Sequence, residues 1–115
     1  MGAGRGGNFG NTRGQNNNYR DKISNLPKNP NRLPKGTWIE TTPKSMKENT
    51  SSRVFTDKET GLTVRFDKGQ EGKSGYRGQD HYHVHNPNST GKSDYYLDKF
   101  GNPVPKNSKS SHIIP

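Results

Sequence analysis

Two short segments of the chain alternate apolar and polar residues with a period of two. They are GLTVRFD at residues 61–67 and DHYHVHN at residues 80–86. Because successive side chains of a β-strand point to opposite faces, this period predicts two strands, each with one apolar face. In the second strand His81, His83 and His85 share one face, and Tyr82 and Val84 share the other. We expect the apolar face to pack inward and the imidazoles to face outward.

Other segments predict the rest of an α+β fold. SRVFTD (52–57) and GLTVRFD flank the tripeptide KET, a spacing that indicates a hairpin, and DYYLD (94–98) and SHIIP (111–115) are typical of further strands. A short helix is predicted over 42–49, with Thr42 as N-cap, Pro43 at the first helical position and Met46 as the apolar contact. Trp38 is the expected core anchor. The fold class is therefore a short N-terminal helix followed by a four- to five-stranded antiparallel sheet.

Composition limits the size of the core. Hydrophobic residues make up 22% of the 115 residues, and the mean hydropathy is −1.35, so part of the chain is expected to be disordered. Residues 2–18 are rich in Gly and Asn, and residues 26–36 contain three prolines. We therefore predict a flexible basic linker at 1–32, including a disordered N-terminal tail, and one domain at 33–115.

Several classes of protein are excluded or disfavoured by the sequence. The chain has no cysteine, which excludes disulfides and thiolate metal sites. It has no apolar run of transmembrane length and no secretory signal segment, so we expect no membrane partner, and an export address only on a larger parent chain. It has no Rossmann fingerprint, Walker loop or HExxH motif. No cofactor is therefore expected.

Charge points to a polyanionic partner. The formal net charge is +9, and residues 1–35 contribute seven Lys and Arg against one acid, Asp21. A basic chain favours nucleic acid or an acidic protein as a partner. Residues 68–79 predict a mobile loop with four glycines that carries three of the cations.

The histidines suit two kinds of chemistry. Paired imidazoles titrate near neutral pH, so one ring can accept a proton while another donates one, which is sufficient to cleave RNA through its own 2′-hydroxyl. The parts for this are His81, His83, His85 and His112, with Arg65, Lys92 and Lys109 for the phosphate and Ser110 and Ser111 as hydrogen-bond donors. Alternatively, the H-x-H pair with Asp80 and His112 could ligate zinc or another divalent ion. Alternating histidines can also be polar residues of a solvated strand face, and Tyr82, Tyr95 and Tyr96 can be core or base-stacking residues.

Four motifs together suggest a family. GLTVRFDKG, DHYHVHNPNS, YYLDKFGNPVPK and the terminal SHIIP, within residues 50–115, resemble the C-terminal toxin module of bacterial polymorphic toxins, of the kind labelled polymorphic toxin type 24. The resemblance implies a ribonuclease with a barnase/EndoU/colicin/RelE type of fold. It implies an RNA substrate such as tRNA and a cognate immunity protein. It also implies secretion as the end of a larger toxin, and action in the cytoplasm of the target cell.

The resemblance extends to His81, His83 and His112 by motif position. The first hypothesis is a metal-independent toxin endoribonuclease, with His81 and His83 as the acid–base pair and His112 as a third catalytic or phosphate-orienting group. Arg65, Lys92, Lys109 and Tyr82 would bind substrate, and His85 and Ser111 are supporting or alternative residues. The alternatives are a metal-dependent nuclease acting on DNA and a non-catalytic module that binds RNA or protein.

Overall fold

The computed structural model describes residues 17–115, and the side chains of residues 19–115. Residues 1–16 of the predicted flexible linker at 1–32 lie outside the described residues. Two α-helices occur in the described part of the chain: α1 (Asn17–Ser24) and α2 (Lys44–Asn49). Within residues 17–115, no helix is both long enough and apolar enough to cross a lipid bilayer.

One antiparallel sheet organises the described residues. Its strands are β1 (Trp38–Glu40), β2 (Arg53–Asp57), β3 (Thr63–Asp67), β4 (His81–His85), β5 (Tyr96–Leu97) and β6 (Pro103–Val104). They lie side by side in chain order, and every neighbouring pair is antiparallel. The predicted α+β class is confirmed. The described part of the chain has six strands where four or five were expected, because short strands also form at Trp38–Glu40 and Pro103–Val104.

The hairpin between β2 and β3 forms where the sequence predicted it. Asp57 closes the turn: its Oδ1 atom accepts a hydrogen bond from the Glu59 amide at 3.1 Å and its Oδ2 atom one from the Thr60 hydroxyl at 2.6 Å. Gly61 has a φ of 79°, a conformation that glycine adopts without steric cost. The turn sets the register in which Phe55 lies opposite Val64.

The hydrophobic core covers one face of this sheet. Seven sheet residues belong to the same cluster as three residues of the N-terminal segment. The sheet residues are Trp38, Phe55, Val64, Phe66, Tyr82, Val84 and Leu97, and the segment residues are Ile23, Leu26 and Leu33. Trp38 is 7% exposed, as expected of a core anchor. Ile23 and Leu26 precede the predicted domain start at 33, so the packed unit begins before that boundary.

The second helix begins differently from the prediction. Thr42 does not cap it, and Pro43 occupies the N-cap position with no side-chain hydrogen bond. The Thr42 hydroxyl instead donates to Glu40 Oε2 at 2.8 Å and accepts from the Val54 amide at 2.8 Å. Pairing with the neighbouring strand therefore outweighs the local cap.

The end of the chain forms one bridge rather than the predicted strand. The Tyr82 amide donates to the Ile113 carbonyl at 2.9 Å, and the Ile113 amide donates to the Tyr82 carbonyl at 2.8 Å. Residues Lys109–Ser111 form a single 3-10 turn just before it. This bridge brings His112 beside the middle of β4.

Candidate active site

The register of β3 and β4 gathers four polar side chains on the face opposite the core. Arg65 lies opposite His83, and Asp67 lies opposite His81. Directly opposed residues of an antiparallel pair share one face of the sheet. A cation, a carboxylate and two imidazoles therefore meet at the centre of the sheet.

The expectation that the imidazoles face outward is only partly correct. His81 and His83 are 7% and 6% exposed, respectively, because other rings cover them. The His112 ring centroid is 5.0 Å from that of His81 and 4.5 Å from that of His83. The Tyr96 ring also packs against His83, with ring centroids 4.9 Å apart.

Tyr76 orients the His112 ring. The two rings are stacked, with centroids 3.8 Å apart and an interplanar angle of 29°. Tyr76 comes from the glycine-rich loop that was predicted to be mobile, yet the loop is closed by a hydrogen bond from the Gln70 amide to the Arg77 carbonyl at 2.8 Å. A Cβ atom at Gly78 would collide with the Lys73 carbonyl. The glycine therefore permits a compact loop that carries a ring into the site.

Asp67 connects the charged groups. Its Oδ1 atom accepts hydrogen bonds from Ser52 Oγ at 2.7 Å and Arg65 Nε at 3.0 Å, and its Oδ2 atom accepts from Arg65 Nη2 at 2.9 Å. The same Oδ2 atom is 3.5 Å from Nε2 of both His81 and His83. Burial alone would raise the pKa of Asp67, but hydrogen bonds from His81, Arg65 and Ser52 outweigh it and hold that pKa well below its usual range. Asp67 is therefore a fixed anion in the site.

His81 is the proton-rich imidazole. Its Nδ1 atom lies 2.9 Å from the Gln79 carbonyl, an acceptor, so this nitrogen carries a proton. Its Nε2 atom faces the Asp67 carboxylate, and hydrogen bonding to Asp67 raises the pKa of His81 despite its partial burial. The doubly protonated ring is therefore favoured, which makes His81 a proton donor.

His83 is held neutral. Burial, together with the nearby Arg65 and His112, lowers the pKa of His83 to about 4. Its Nδ1 atom is buried with no hydrogen-bond partner among the described residues, whereas Nε2 faces the Asp67 carboxylate. The proton of the neutral ring therefore belongs on Nε2, where it points to the anion.

His112 has the character of a base. Its Nδ1 atom lies 3.2 Å from the Lys109 carbonyl, so Nδ1 carries the proton and Nε2 keeps a free lone pair. Partial burial lowers the pKa of His112, and the charge of His81 acts in the same direction. His112 is half-buried and lines the cleft, so a substrate can reach its ring.

The cleft above these residues has a volume of about 950 Å³ and a basic lining. Its cations are Arg65, Lys68, Arg77 and Lys106. Asp67, the acidic residue of the lining, is already paired with Arg65. The cleft therefore suits an anionic ligand.

Among the predicted phosphate-binding cations, the structure brings only Arg65 to the histidines. Lys92 and Lys109 are exposed and do not line the cleft. Their backbone carbonyls support the local fold. The Lys92 carbonyl accepts a hydrogen bond from the Lys106 amide, and the Lys109 carbonyl accepts one from the His112 amide. Ser111 is fully buried and its hydroxyl donates to the Ser108 carbonyl at 2.7 Å.

Three further candidates lie away from the cleft. Tyr82 is a core residue with no exposed surface, its hydroxyl donates to the Pro27 carbonyl at 2.6 Å, and burial raises its pKa to about 12. It therefore has no surface to offer a substrate. His85 packs edge-on against Tyr95, with ring centroids 4.7 Å apart. Asp80 accepts a hydrogen bond from the Gly69 amide at 2.8 Å, so the predicted metal set that included it is not assembled.

The sequence analysis missed Asp67, Tyr76 and Lys106, and it named Tyr96 only as a core or base-stacking residue. One signal was available for Asp67, because alternation places it on the same strand face as Arg65. The loop and chain-end residues had no such signal, since their positions depend on tertiary contacts.

The imidazoles could also hold a metal ion. One ring nitrogen from each of His81, His83 and His112 lies within 4.8 Å of the others. Three imidazole nitrogens are a ligand set that zinc accepts, with each nitrogen about 2.0–2.1 Å from the ion. The same three residues therefore support either proton transfer or metal binding.

Comparisons of the chain with models of protein families, with curated proteins and with solved structures found no match.

Proposed function

We propose that this chain is a metal-independent endoribonuclease in which His81 is the general acid and His112 the general base. The observation that carries the proposal is the contrast between two neighbouring imidazoles, with ring centroids 5.0 Å apart. Hydrogen bonding to Asp67 raises the pKa of His81, whereas burial lowers the pKa of His112, whose Nε2 atom keeps a free lone pair. General acid–base catalysis requires this pairing of a proton donor with a proton acceptor.

The proposed reaction uses the nucleophile that RNA itself supplies. His112 Nε2 removes the proton of a 2′-hydroxyl, and the resulting oxygen attacks the adjacent phosphorus. His81 donates its Nε2 proton, which faces Asp67 Oδ2 at 3.5 Å before substrate binds, to the departing 5′-oxygen as the P–O5′ bond breaks. The products are a 2′,3′-cyclic phosphate and a 5′-hydroxyl, and the cations of the cleft stabilise the charge that develops on the phosphoryl oxygens.

The roles differ in one respect from the sequence-based hypothesis, which paired His81 with His83. Burial and nearby cations lower the pKa of His83 to about 4, so its neutral ring is a poor proton donor, and its Nδ1 atom has no hydrogen-bond partner among the described residues. It therefore acts as a positioning residue that holds the carboxylate against His81. This assignment keeps all three predicted histidines in the site with distinct tasks.

The biological setting of the proposal comes from the resemblance of residues 50–115 to polymorphic toxin modules. We propose that the domain is exported as the C-terminal part of a larger toxin and cleaves RNA, such as tRNA, in the cytoplasm of a target cell. A cognate immunity protein would block it. Because the cleft is basic, an acidic surface on that partner would give complementary electrostatics.

The first test is cleavage of total bacterial RNA by the purified chain in excess EDTA. Discrete fragments that end in 2′,3′-cyclic phosphate are expected. A single-stranded DNA substrate should stay intact because it lacks the 2′-hydroxyl. The matched pair of variants is His112→Ala, expected to be inactive, and His85→Ala, expected to be active. Intact RNA after incubation with folded protein, with and without metal ions, would overturn the proposal.

A second candidate function is a metal-dependent nuclease, which the grouping of three imidazole nitrogens within 4.8 Å favours. In that case EDTA would abolish cleavage, added zinc or manganese would restore it, and DNA would also be cut. Isothermal titration of the metal-free chain with zinc, alongside a His81→Ala control, measures the binding directly.

A further inference from the structure

Phe100 is an exposed aromatic residue on a rigid support. Its side chain is 50% exposed, in the turn between β5 and β6. The Asp98 carboxylate accepts hydrogen bonds from the Phe100 and Asn102 amides, each at 2.9 Å, and Gly101 adopts a φ of 86°. The turn therefore presents the ring in a defined position.

Two cations flank this ring. Lys99 Nζ is 5.2 Å and Arg20 Cζ 5.7 Å from the ring centroid. Stacking of a nucleic-acid base on an aromatic side chain is stronger than a cation–π contact at an exposed site. A base can therefore displace a cation from the ring, and the displaced cation remains close enough to meet a phosphate.

The ring lies beside the candidate active site. Phe100 and the half-exposed Ile114 line a groove of about 320 Å³ that also includes His112. His112 lines the catalytic cleft of about 950 Å³ as well. The two depressions therefore share one wall, formed by the proposed general base. An RNA strand leaving the larger cleft past His112 would enter the smaller groove.

We propose that this groove is a subsite for single-stranded RNA. Two nucleotides flank the scissile phosphate, and the groove binds the nucleotide adjacent to this pair. Its base stacks on Phe100, and Lys99 and Arg20 contact its phosphates. An exposed aromatic ring flanked by cations is the combination that binds single strands without reading their sequence. The assignment of this substrate rests on the proposed ribonuclease activity.

The test compares a short and a long substrate. Phe100→Ala should lower kcat/KM for a single-stranded hexaribonucleotide by roughly 5- to 100-fold, as expected for the loss of one stacked base. It should leave the cleavage of a dinucleotide unchanged, because a dinucleotide does not reach the groove. Phe100→Tyr should retain most of the activity. Ile39→Ala is the matched control, since Ile39 is 48% exposed on β1 and lines neither depression.

A binding measurement separates this proposal from the catalytic one. Fluorescence anisotropy with an uncleavable hexadeoxynucleotide should show weaker binding to Phe100→Ala than to the wild-type chain or Ile39→Ala. That result would support the subsite even if no RNA were cleaved. Equal binding by all three proteins, or equal loss of activity on both substrate lengths, would overturn the proposal.

Discussion

Asp67 lies directly opposite His81 in the register of β3 and β4, and its Oδ2 atom is 3.5 Å from His81 Nε2. The carboxylate is fixed on its other sides by Ser52 and Arg65. It therefore cannot turn away from the imidazole without losing those bonds. This arrangement raises the pKa of His81, which supports its proposed role as the general acid.

The rate of RNA cleavage should depend on pH as a bell-shaped curve. The acidic limb reports the general base, His112, whose pKa lies below the usual 6.5 of histidine. The alkaline limb reports the general acid, His81, whose pKa lies above 6.5. Asp67→Asn should move the alkaline limb to lower pH, because the anion that raises the pKa of His81 is gone. The measurement is kcat/KM against pH. The control is Asp21→Asn, an exposed change outside the cleft, which should leave both limbs of the curve at their wild-type pH. If the alkaline limb of Asp67→Asn also stays at its wild-type pH, the role of Asp67 is contradicted.

His81 and His112 should be the two residues on which chemistry depends most. Replacing either by alanine should lower the cleavage rate by roughly 10²- to 10⁴-fold, the usual contribution of a general acid or base. His85→Ala should cleave at close to the wild-type rate, since His85 packs against Tyr95 outside the cleft. Single-turnover kinetics with circular dichroism of each variant would distinguish catalysis from folding. Wild-type rates in His112→Ala would remove it as the base.

Folding stability should fall as the pH is lowered from 6.5 to 4. A histidine whose folded pKa is depressed binds its proton more readily in the unfolded chain, so acid favours unfolding. For His83, with a folded pKa of about 4, the full effect is about 3 kcal/mol. The lowered pKa of His112 destabilises the fold in acid in the same way. The stabilising contribution of His81 is lost only above pH 6.5, and that of Asp67 only below the usual pKa of aspartate, so neither changes within this window. His83→Gln should flatten the pH dependence of urea unfolding between pH 4 and 6.5, and an unchanged slope would show that His83 is not buried in its neutral form.

Tyr82→Phe should lower stability and leave activity unchanged. The substitution removes the 2.6 Å hydrogen bond to the Pro27 carbonyl, at a cost of roughly 1–2 kcal/mol. Tyr95→Phe is the matched control, because Tyr95 is half-buried, packs against His85 and does not line the cleft. Thermal unfolding and RNA cleavage are measured on both. A selective loss of cleavage in Tyr82→Phe would instead restore Tyr82 as a substrate contact.

Local patterns were sufficient to predict the central strands. The alternation in residues 61–67 and 80–86 predicted β3 and β4, and the tripeptide KET between SRVFTD and GLTVRFD predicted the hairpin of β2 and β3. The apolar faces were assigned correctly, because Val64 and Val84 are buried and paired with each other. Prediction failed where local preference competed with tertiary bonds, as at Thr42, which pairs with Val54 instead of capping α2.

The candidate site was predicted in part. His81 and His83 share a face because they are two residues apart on one strand, and no tertiary information is needed for that. Their burial and their opposite protonation could not be predicted, because these depend on Asp67, Tyr96 and His112 arriving from three other segments. Lys92 and Lys109 were plausible by composition alone, yet their backbone positions direct them away from the cleft.

The sequence by itself determined the strand period, the positive charge and the supply of imidazoles, since these are properties of residue type and spacing. Only the tertiary structure decided which groups meet. The register of β3 against β4 placed Asp67 opposite His81, and the single bridge between Tyr82 and Ile113 placed His112 beside them. The physical reason is that protonation and reactivity follow from distances of a few ångströms between side chains, and long-range backbone pairing sets those distances.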